Sequence, residues 1–218
     1  MAVYDVSFAV KREEIMAIIG PNGAGKTTVF NLISGILPPT AGHMRFAERK
    51  LNGLKPHAIS ALGMARTFQN VQLFGNMSVL ENVMIGRHGQ TTYNAFGAAF
   101  RTPHARREER KIRRQAMATL ERVGLASQAD ENALNLPFGK QRLLEIARAL
   151  ATEPTMILLD EPGAGLNRLE KEELEQLIRA IRDDGVTVRP VQHDMHFVMA
   201  IADRIVVRDY GQKIAHGT

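Results

Sequence analysis

Residues 20–28 constrain the fold of this chain more than any other stretch. They read Gly-Pro-Asn-Gly-Ala-Gly-Lys-Thr-Thr, follow the apolar run at residues 15–19 and precede residues 29–33, whose apolar spacing suits a helix. A glycine loop between a strand and a helix is the pattern of a P-loop, in which main-chain N–H groups and the helix N-terminus surround phosphates. The sequence therefore predicts an α/β core that binds a nucleoside triphosphate.

Two side chains in this loop have definite chemistry. Lys26 can reach the β- and γ-phosphates, and the Thr27 hydroxyl can ligate Mg²⁺. A glycine-rich turn that binds nothing is the alternative, and the complete motif with both flanking elements disfavours it. The predicted phosphate-binding residues are Gly20, Pro21, Asn22, Gly23, Ala24, Gly25, Lys26, Thr27 and Thr28.

Composition excludes several classes of protein. The chain has 218 residues, of which 44% are hydrophobic, and it has no cysteine, so disulfides and thiolate chemistry are ruled out. No apolar run approaches the roughly 18 to 20 residues of a membrane-spanning helix, and no secretory signal pattern is present, so we expect a cytoplasmic location. The net charge of +5 permits an acidic partner, which could be a nucleotide, a nucleic acid or an anionic lipid.

Apolar periodicity predicts further elements on both sides of the P-loop. Val6, Phe8 and Val10 alternate with polar residues, which predicts a half-buried strand at the start of the chain. We expect the helix after the P-loop to end near Gly35, and the chain to close with a hairpin whose turn is Tyr210-Gly211.

The middle of the chain has mostly helical sequence patterns. We interpret residues 71–150 as a helical subdomain inserted into a core formed by residues 1–70 and 151–218, with a loop signal at residues 86–97. The longest helix, residues 105–123, has an apolar stripe of Ile112, Ala116, Leu120 and Val123. Its basic residues favour a solvated face over a phosphate-binding one, and they are Arg106, Arg107, Arg110, Lys111, Arg113 and Arg114.

Two adjacent carboxylates, Asp160 and Glu161, follow the apolar run at residues 156–159. Such a run is typical of a buried parallel strand, and ligands bind at the carboxyl ends of such strands. We therefore predict that one carboxylate faces Mg²⁺ and the other orients the attacking water.

The order of these motifs resembles the ABC-transporter ATPases over nearly the whole chain. The resemblance is carried by the P-loop, Gln69, the glycine-containing loop at residues 136–140, Asp160-Glu161 and His193. Three further stretches look most like the ATP-binding subunits of branched-chain amino acid importers: Thr-Phe-Gln-Asn-Val at 67–71, Leu-Glu-Ile-Ala-Arg-Ala-Leu at 144–150 and His-Asp-Met-His-Phe-Val-Met at 193–199.

The resemblance implies a role for each matching position. Gln69 would contact Mg²⁺ together with Thr27 and Asp160, Glu161 would be the catalytic base, and His193 would contact the γ-phosphate. Residues 165–167, with Asn167, match a loop at the dimer interface. The signature motif would bind the nucleotide of the opposite subunit, and its residues are Leu136, Pro137, Phe138, Gly139 and Lys140.

The resemblance also implies the architecture and the partners. It implies a single P-loop NTPase domain with a RecA-like core, a small antiparallel β subdomain and the inserted helical subdomain. The protein would bind ATP and Mg²⁺, form a homodimer or a heterodimer with a second ABC ATPase, and dock on integral membrane permease subunits. It would lie on the inner face of the plasma membrane and depend indirectly on a periplasmic binding protein. Nucleic acid is not an expected partner.

Some positions depart from the family pattern. Pro137 and Lys140 stand where the signature motif has Ser and Gln, and Arg189 and Pro190 interrupt an apolar strand, which predicts a distorted strand before His193. Only 19 residues precede the P-loop, and Tyr4 matches the adenine-stacking position poorly, so we expect a truncated N-terminus and weak adenine discrimination.

The sequence is compatible with two other functions. A soluble ABC-type ATPase acting on nucleic acid or the ribosome would account for the basic helix. A subunit that binds nucleotide without hydrolysing it would account for the altered signature motif.

Overall fold

The computed structural model describes residues 3, 5–21, 23–88, 103–209 and 212–217. Tyr4, Asn22, the turn at 210–211 and residues 89–97 of the predicted loop lie outside these described residues. The chain divides into two compact units, Met1–Gln69 with Pro154–Thr218, and Asn70–Glu153.

The first unit contains a six-stranded sheet and a short separate hairpin. The strands are β1 (Met16–Ile19), β2 (Arg45–Phe46), β3 (Arg49–Lys50), β4 (Met64–Arg66), β5 (Met156–Asp160), β6 (Thr187–Val191), β7 (Arg204–Asp209) and β8 (Gln212–Gly217). The sheet has the order β4-β5-β6-β1-β7-β8, and all its neighbouring strands are parallel except the last pair. Strands β2 and β3 form the hairpin.

Proline and glycine mark the ends of two helices in the first unit. Pro56 is at the first position of its helix, and the helix after the P-loop ends just before Gly35, whose φ of 73° suits glycine. The first unit has α1 (Lys26–Ile33) and α2 (Pro56–Ala61); the second has α3 (Val79–His88), α4 (Pro103–Arg122) and α5 (Phe138–Leu150); the first then resumes with α6 (Arg168–Asp183) and α7 (Met195–Ile201).

The core of the first unit lies between the sheet and α1. Ile18 of β1, Leu158 of β5 and Val191 of β6 are fully buried and form one apolar cluster with Phe30 of α1. Strands buried on both faces need continuous apolar runs, which is why β1 and β5 were recognisable in the sequence.

The predicted N-terminal strand is absent from the described residues, so that prediction was wrong. Burial does alternate as expected, with Val6, Phe8 and Val10 half-buried between exposed neighbours, but the segment forms no ladder with any strand in the described part of the chain. Alternation predicts which side chains face the core, whereas a strand also requires a partner for its N–H and C=O groups.

Strand β6 is regular on one side and interrupted on the other. All its residues pair with β5, from Met156↔Thr187 to Asp160↔Val191. Toward β1, the N–H groups of Val188 and Gln192 donate to main-chain oxygens. In a regular ladder the N–H of residue 190 would be the donor between these two. Proline has no N–H, so the predicted disturbance is confined to the β1 side of the strand.

The second unit is built from α3, α4 and α5, with α3 packed against both of the others. The predicted apolar stripe of the long helix is confirmed, since Ile112, Ala116 and Leu120 are buried, as is Val123 just after it. The predicted loop start at Gly86 was wrong, because α3 continues to His88.

Gly86 is needed for close packing rather than for a turn. A Cβ built on Gly86 would lie 2.3 Å from the carbonyl oxygen of Arg148 and 3.1 Å from the Cβ of Ala151. We expect Gly86→Ala to lower the free energy of unfolding by about 1–3 kcal/mol, because the backbones must separate. Urea unfolding measures this, with Gly217→Ala as the control, since a Cβ there meets no described atom within 4 Å. A loss no larger than that of the control would contradict the packing argument.

Candidate nucleotide site

Four neighbouring parallel strands of the first unit bring the predicted residues to one edge of the sheet. Strand β1 runs into the P-loop, β5 ends at Asp160, β6 is followed by His193, and β4 is followed by Gln69. Because the carboxyl ends of parallel strands lie at the same edge, these residues surround one region.

The P-loop has the backbone that its glycines allow. Gly23 and Gly25 have φ values of 83° and 78°, and Gly25 is the N-cap of α1. The buried Lys26 side chain donates hydrogen bonds from Nζ to the carbonyl oxygens of Gly20 and Pro21, at 2.8 and 2.9 Å. A cation is therefore held at the loop beside a helix N-terminus, which is the electrostatic setting that phosphate groups require.

Asp160 is buried at the end of β5 and is tied to β4. Its Oδ2 accepts a hydrogen bond from Arg66 Nη2 at 3.0 Å, and its main-chain N–H donates to Thr67 Oγ1 at 3.3 Å. We did not predict Arg66 as a site residue. An arginine at the end of the otherwise apolar strand β4 was the available signal, because a buried guanidinium requires an acceptor.

Glu161 lies at the centre of a small polar group. Gln69 Nε2 donates to its Oε2 at 3.3 Å, and His193 Nδ1 lies 3.7 Å from its Oε1, which is beyond hydrogen-bond distance. Glu161 has a φ of 48°, unusual for a residue with a side chain, and its N–H donates to the oxygen of Val191 at 2.9 Å. Strained backbone of this kind is concentrated at functional sites.

His193 is oriented by the start of α7. The next residue, Asp194, is the N-cap, and its Oδ1 accepts hydrogen bonds from the N–H groups of His196 and Phe197. The hydrogen bond from Lys171 Nζ, at 2.6 Å, lowers the pKa of Asp194 and keeps the cap ionised. The strand end and the helix start therefore fix the main chain on both sides of His193.

Asn167 has a structural duty in the described chain. Its side chain accepts a hydrogen bond from the N–H of Glu170, whose own side chain accepts from the N–H of Asn167, which forms a capping box at the start of α6. Its predicted contact with nucleotide stays a prediction.

The signature residues belong to the second unit, and the helix there begins earlier than predicted. Pro137 is the N-cap of α5, so Phe138, Gly139 and Lys140 form the first helical turn instead of a loop. Proline suits this end because a helix start needs no N–H donor at that point. The first turn of α5 thus presents main-chain N–H groups together with Lys140.

The ABC transporter family model matches residues 3–164 of the chain. The chain belongs to the ABC transporter family. Curated relatives agree over the full length: the high-affinity branched-chain amino acid transport ATP-binding protein LivG of Salmonella typhimurium is 44% identical over 100% of this chain and 86% of its own. LivG of Escherichia coli and BraF of Pseudomonas aeruginosa, which carry the same description, are each 43% identical with the same coverage.

Solved structures confirm the fold class of this ABC cassette. An ATP-binding cassette of an ABC transporter in its ADP conformation has a TM-score of 0.86 and 32% identity, covering 99% of this chain and 84% of that one. A dimeric cassette in a post-hydrolysis state, bound to ADP and phosphate, has a TM-score of 0.83 and 26% identity, covering 100% and 90%.

The predicted metal ligands of the cassette suit Mg²⁺ chemically. Thr27, Gln69 and Asp160 offer hydroxyl, amide and carboxylate oxygens, which are the hard donors that this cation prefers. Among the described residues, no group of three or more His, Cys, Asp or Glu side chains could hold a metal alone. The donor set therefore fits a cation that completes its coordination with water and phosphate oxygens.

Proposed function

We propose that this cassette binds and hydrolyses ATP as the energy-supplying subunit of a branched-chain amino acid importer. The observation that carries the proposal is the grouping of Glu161, Gln69 and His193 in a chain that is 43–44% identical, over its whole length, to transport ATP-binding proteins for these amino acids. The same relatives support a location at the cytoplasmic face of the membrane. The described chain itself contains no helix with the length and apolarity needed to cross a membrane.

Each site residue has a defined task in this proposal. Lys26 and the main-chain N–H groups of the P-loop bind the β- and γ-phosphates, and Glu161 accepts a proton from the attacking water. Gln69, whose Nε2 donates to Glu161, holds the carboxylate in place, and His193 would contact the γ-phosphate. Thr27, Gln69 and Asp160 would hold Mg²⁺, which when bound neutralises negative charge on the phosphate oxygens.

A facing ATPase subunit would complete the site. Residues 136–140 would contact the γ-phosphate bound by the opposite subunit, through the N-terminus of α5 and Lys140. Pro137 lacks a hydroxyl, so the main chain at Gly139 carries more of this contact. The facing subunit can be a second copy or a related ATPase, and both would dock on membrane permeases.

Reconstitution tests the function directly. The chain is co-expressed with its neighbouring permease and binding-protein genes, and the purified complex is placed in vesicles. We expect ATP-dependent uptake of leucine, isoleucine or valine together with phosphate release. ATP hydrolysis with uptake of an unrelated solute would contradict the substrate class, and the absence of nucleotide binding would contradict the proposal as a whole.

Removing the positive charge of Lys26 from the P-loop should weaken nucleotide binding strongly. We expect Lys26→Ala to raise the Kd for ATP by about 100-fold, because hydrogen bonds from a charged donor contribute about 1.5–3 kcal/mol. Isothermal titration calorimetry measures the Kd. The control is Lys50→Ala, which removes an exposed lysine of β3. An equal effect of the two substitutions would place the phosphates elsewhere.

A further inference from the structure

Arg66 forms a buried ion pair with the carboxylate that is proposed to face the metal. Its Nη2 lies 3.0 Å from Asp160 Oδ2, and the two side chains are 8% and 3% exposed. A carboxylate this deeply buried requires a compensating charge, because burial strongly disfavours an unpaired ion. Arg66 supplies that charge from the neighbouring strand.

The same guanidinium also reaches the helix of the P-loop. Arg66 Nη1 donates to Asn31 Oδ1 and to Ser34 Oγ, both at 2.8 Å. Asn31 is in α1 and Ser34 is its C-cap. Arg66 therefore connects three parts of the site: the helix that follows the phosphate loop, strand β5 with Asp160, and strand β4, which leads to Gln69.

Aromatic rings fix the plane of this guanidinium. Its central carbon lies 5.6 Å from the ring centre of Phe30 and 5.2 Å from that of Phe68, the residue immediately before Gln69. A planar fork with several donors can hold two hydroxyl or amide acceptors and a carboxylate at once, which the single ammonium group of lysine cannot do. The two terminal nitrogens are thus held by groups of the site itself, whereas the buried Nε has no hydrogen-bond partner among the described residues.

We infer that Arg66 is a positioning residue that acts as the resident counter-charge of Asp160 and competes with Mg²⁺ for that carboxylate. The inference rests on the proposed function, since it assumes that MgATP binds at this edge of the sheet. A guanidinium and a divalent cation both draw on the charge of the same carboxylate, so each weakens the hold of the other. In the absence of metal Arg66 holds Asp160 in place, and it lowers the affinity of the site for Mg²⁺.

A purely structural arginine would behave differently. Its loss would lower the melting temperature equally with and without Mg²⁺, and would leave the affinity for Mg²⁺ unchanged. A counter-charge instead predicts a smaller stability loss when Mg²⁺ is present, because the metal replaces the missing positive charge. The dependence on Mg²⁺ therefore separates the two roles.

The test is a titration of free Mg²⁺ against a fixed excess of a non-hydrolysable ATP analogue, read out as the melting temperature of the protein. We expect Arg66→Met to lower the half-saturating Mg²⁺ concentration by about tenfold. This is the low end of the range for removal of a neighbouring charge, which shifts an ionic equilibrium by about 10- to 1,000-fold. In an Asp160→Asn background the same substitution should leave the Mg²⁺ dependence unchanged, since no carboxylate is left to release.

Three outcomes decide the matter. An unchanged half-saturating Mg²⁺ concentration in Arg66→Met, with equal losses of melting temperature in both conditions, would overturn the inference and leave the proposed function intact. If Arg66→Met does not fold, Arg66→Lys takes its place. Lysine holds the carboxylate more weakly than arginine, so we expect the half-saturating Mg²⁺ concentration to fall by about threefold. An unchanged concentration in Arg66→Lys would overturn the inference. A wild-type melting temperature that does not respond to nucleotide with Mg²⁺ would overturn the proposed function, and this inference with it.

Discussion

Replacing Glu161 with glutamine should reduce ATP hydrolysis by about 100- to 10,000-fold while ATP binding is retained, because an amide cannot take a proton from water. The substitution preserves the shape of the side chain and its neighbours. Gln69 Nε2 donates to Glu161 Oε2 at 3.3 Å, and the amide oxygen of the glutamine can accept the same hydrogen bond. Phosphate release by the reconstituted complex measures the rate, and calorimetry measures binding.

Glu173→Gln is the matched control for this experiment. Glu173 is an exposed carboxylate on α6, so the same chemical change there should leave turnover within a factor of about two. If Glu161→Gln kept the turnover of the control, proton acceptance would have to be assigned to another group. If it lost ATP binding as well, Glu161 would be a binding residue instead of a base.

Replacing Arg189 should make the protein more stable. Arg189 is only 2% exposed in the middle of β6, and its Nε and Nη2 atoms have no hydrogen-bond partner among the described residues. Its central carbon lies 4.4 Å from the ring centre of Phe8, which offers partial compensation. We expect Arg189→Met to raise the free energy of unfolding by about 1–4 kcal/mol at pH 7, because an apolar side chain of similar length needs no hydrogen bonds there.

The pH dependence gives this prediction a definite sign. Burial lowers the pKa of Arg189 to about 9, while attraction to Glu14 opposes that shift and repulsion by Arg204 adds to it. The unfolded chain therefore holds more protons than the folded chain above pH 9, so stability of the wild type rises with pH there. The advantage of Arg189→Met is largest below pH 9 and should shrink by about 1.4 kcal/mol for each pH unit above it.

Urea unfolding at pH 7 and pH 10 measures both effects. Arg12→Met removes an exposed arginine and is the control, with an expected change of less than about 0.5 kcal/mol at either pH. A loss of stability in Arg189→Met, or a gain that is equal at both values of pH, would show that the buried guanidinium is satisfied in solution.

Features that depend on local spacing were predictable from the sequence. The P-loop, the buried strand before Asp160 and the apolar stripe of α4 each depend on residues close together in the chain, and the structure has them where they were expected. Such patterns show which face of an element is buried, and that is sufficient to identify a parallel sheet with ligands at its carboxyl edge.

The early start of α5 after Pro137 is a local miss, whereas three others depend on contacts between distant residues. The segment around Phe8 has the alternation of a strand but pairs with none of the strands that the structure describes. Gly86 is typical of a loop in the sequence, and only the structure shows the carbonyl of Arg148 packed against it. The pairing of Arg66 with Asp160 joins residues 94 positions apart, which no local spacing reports. In each case the chemistry of the residue was visible in the sequence and its partner was not.

A structure of the Glu161→Gln protein with ATP and Mg²⁺ would show whether the P-loop holds the nucleotide. We expect the triphosphate against the main chain of residues 23–28, with Lys26 Nζ turned from the oxygens of Gly20 and Pro21 toward the β- and γ-phosphates. A nucleotide bound elsewhere, with Lys26 still bonded to those two carbonyl oxygens, would contradict the proposed site.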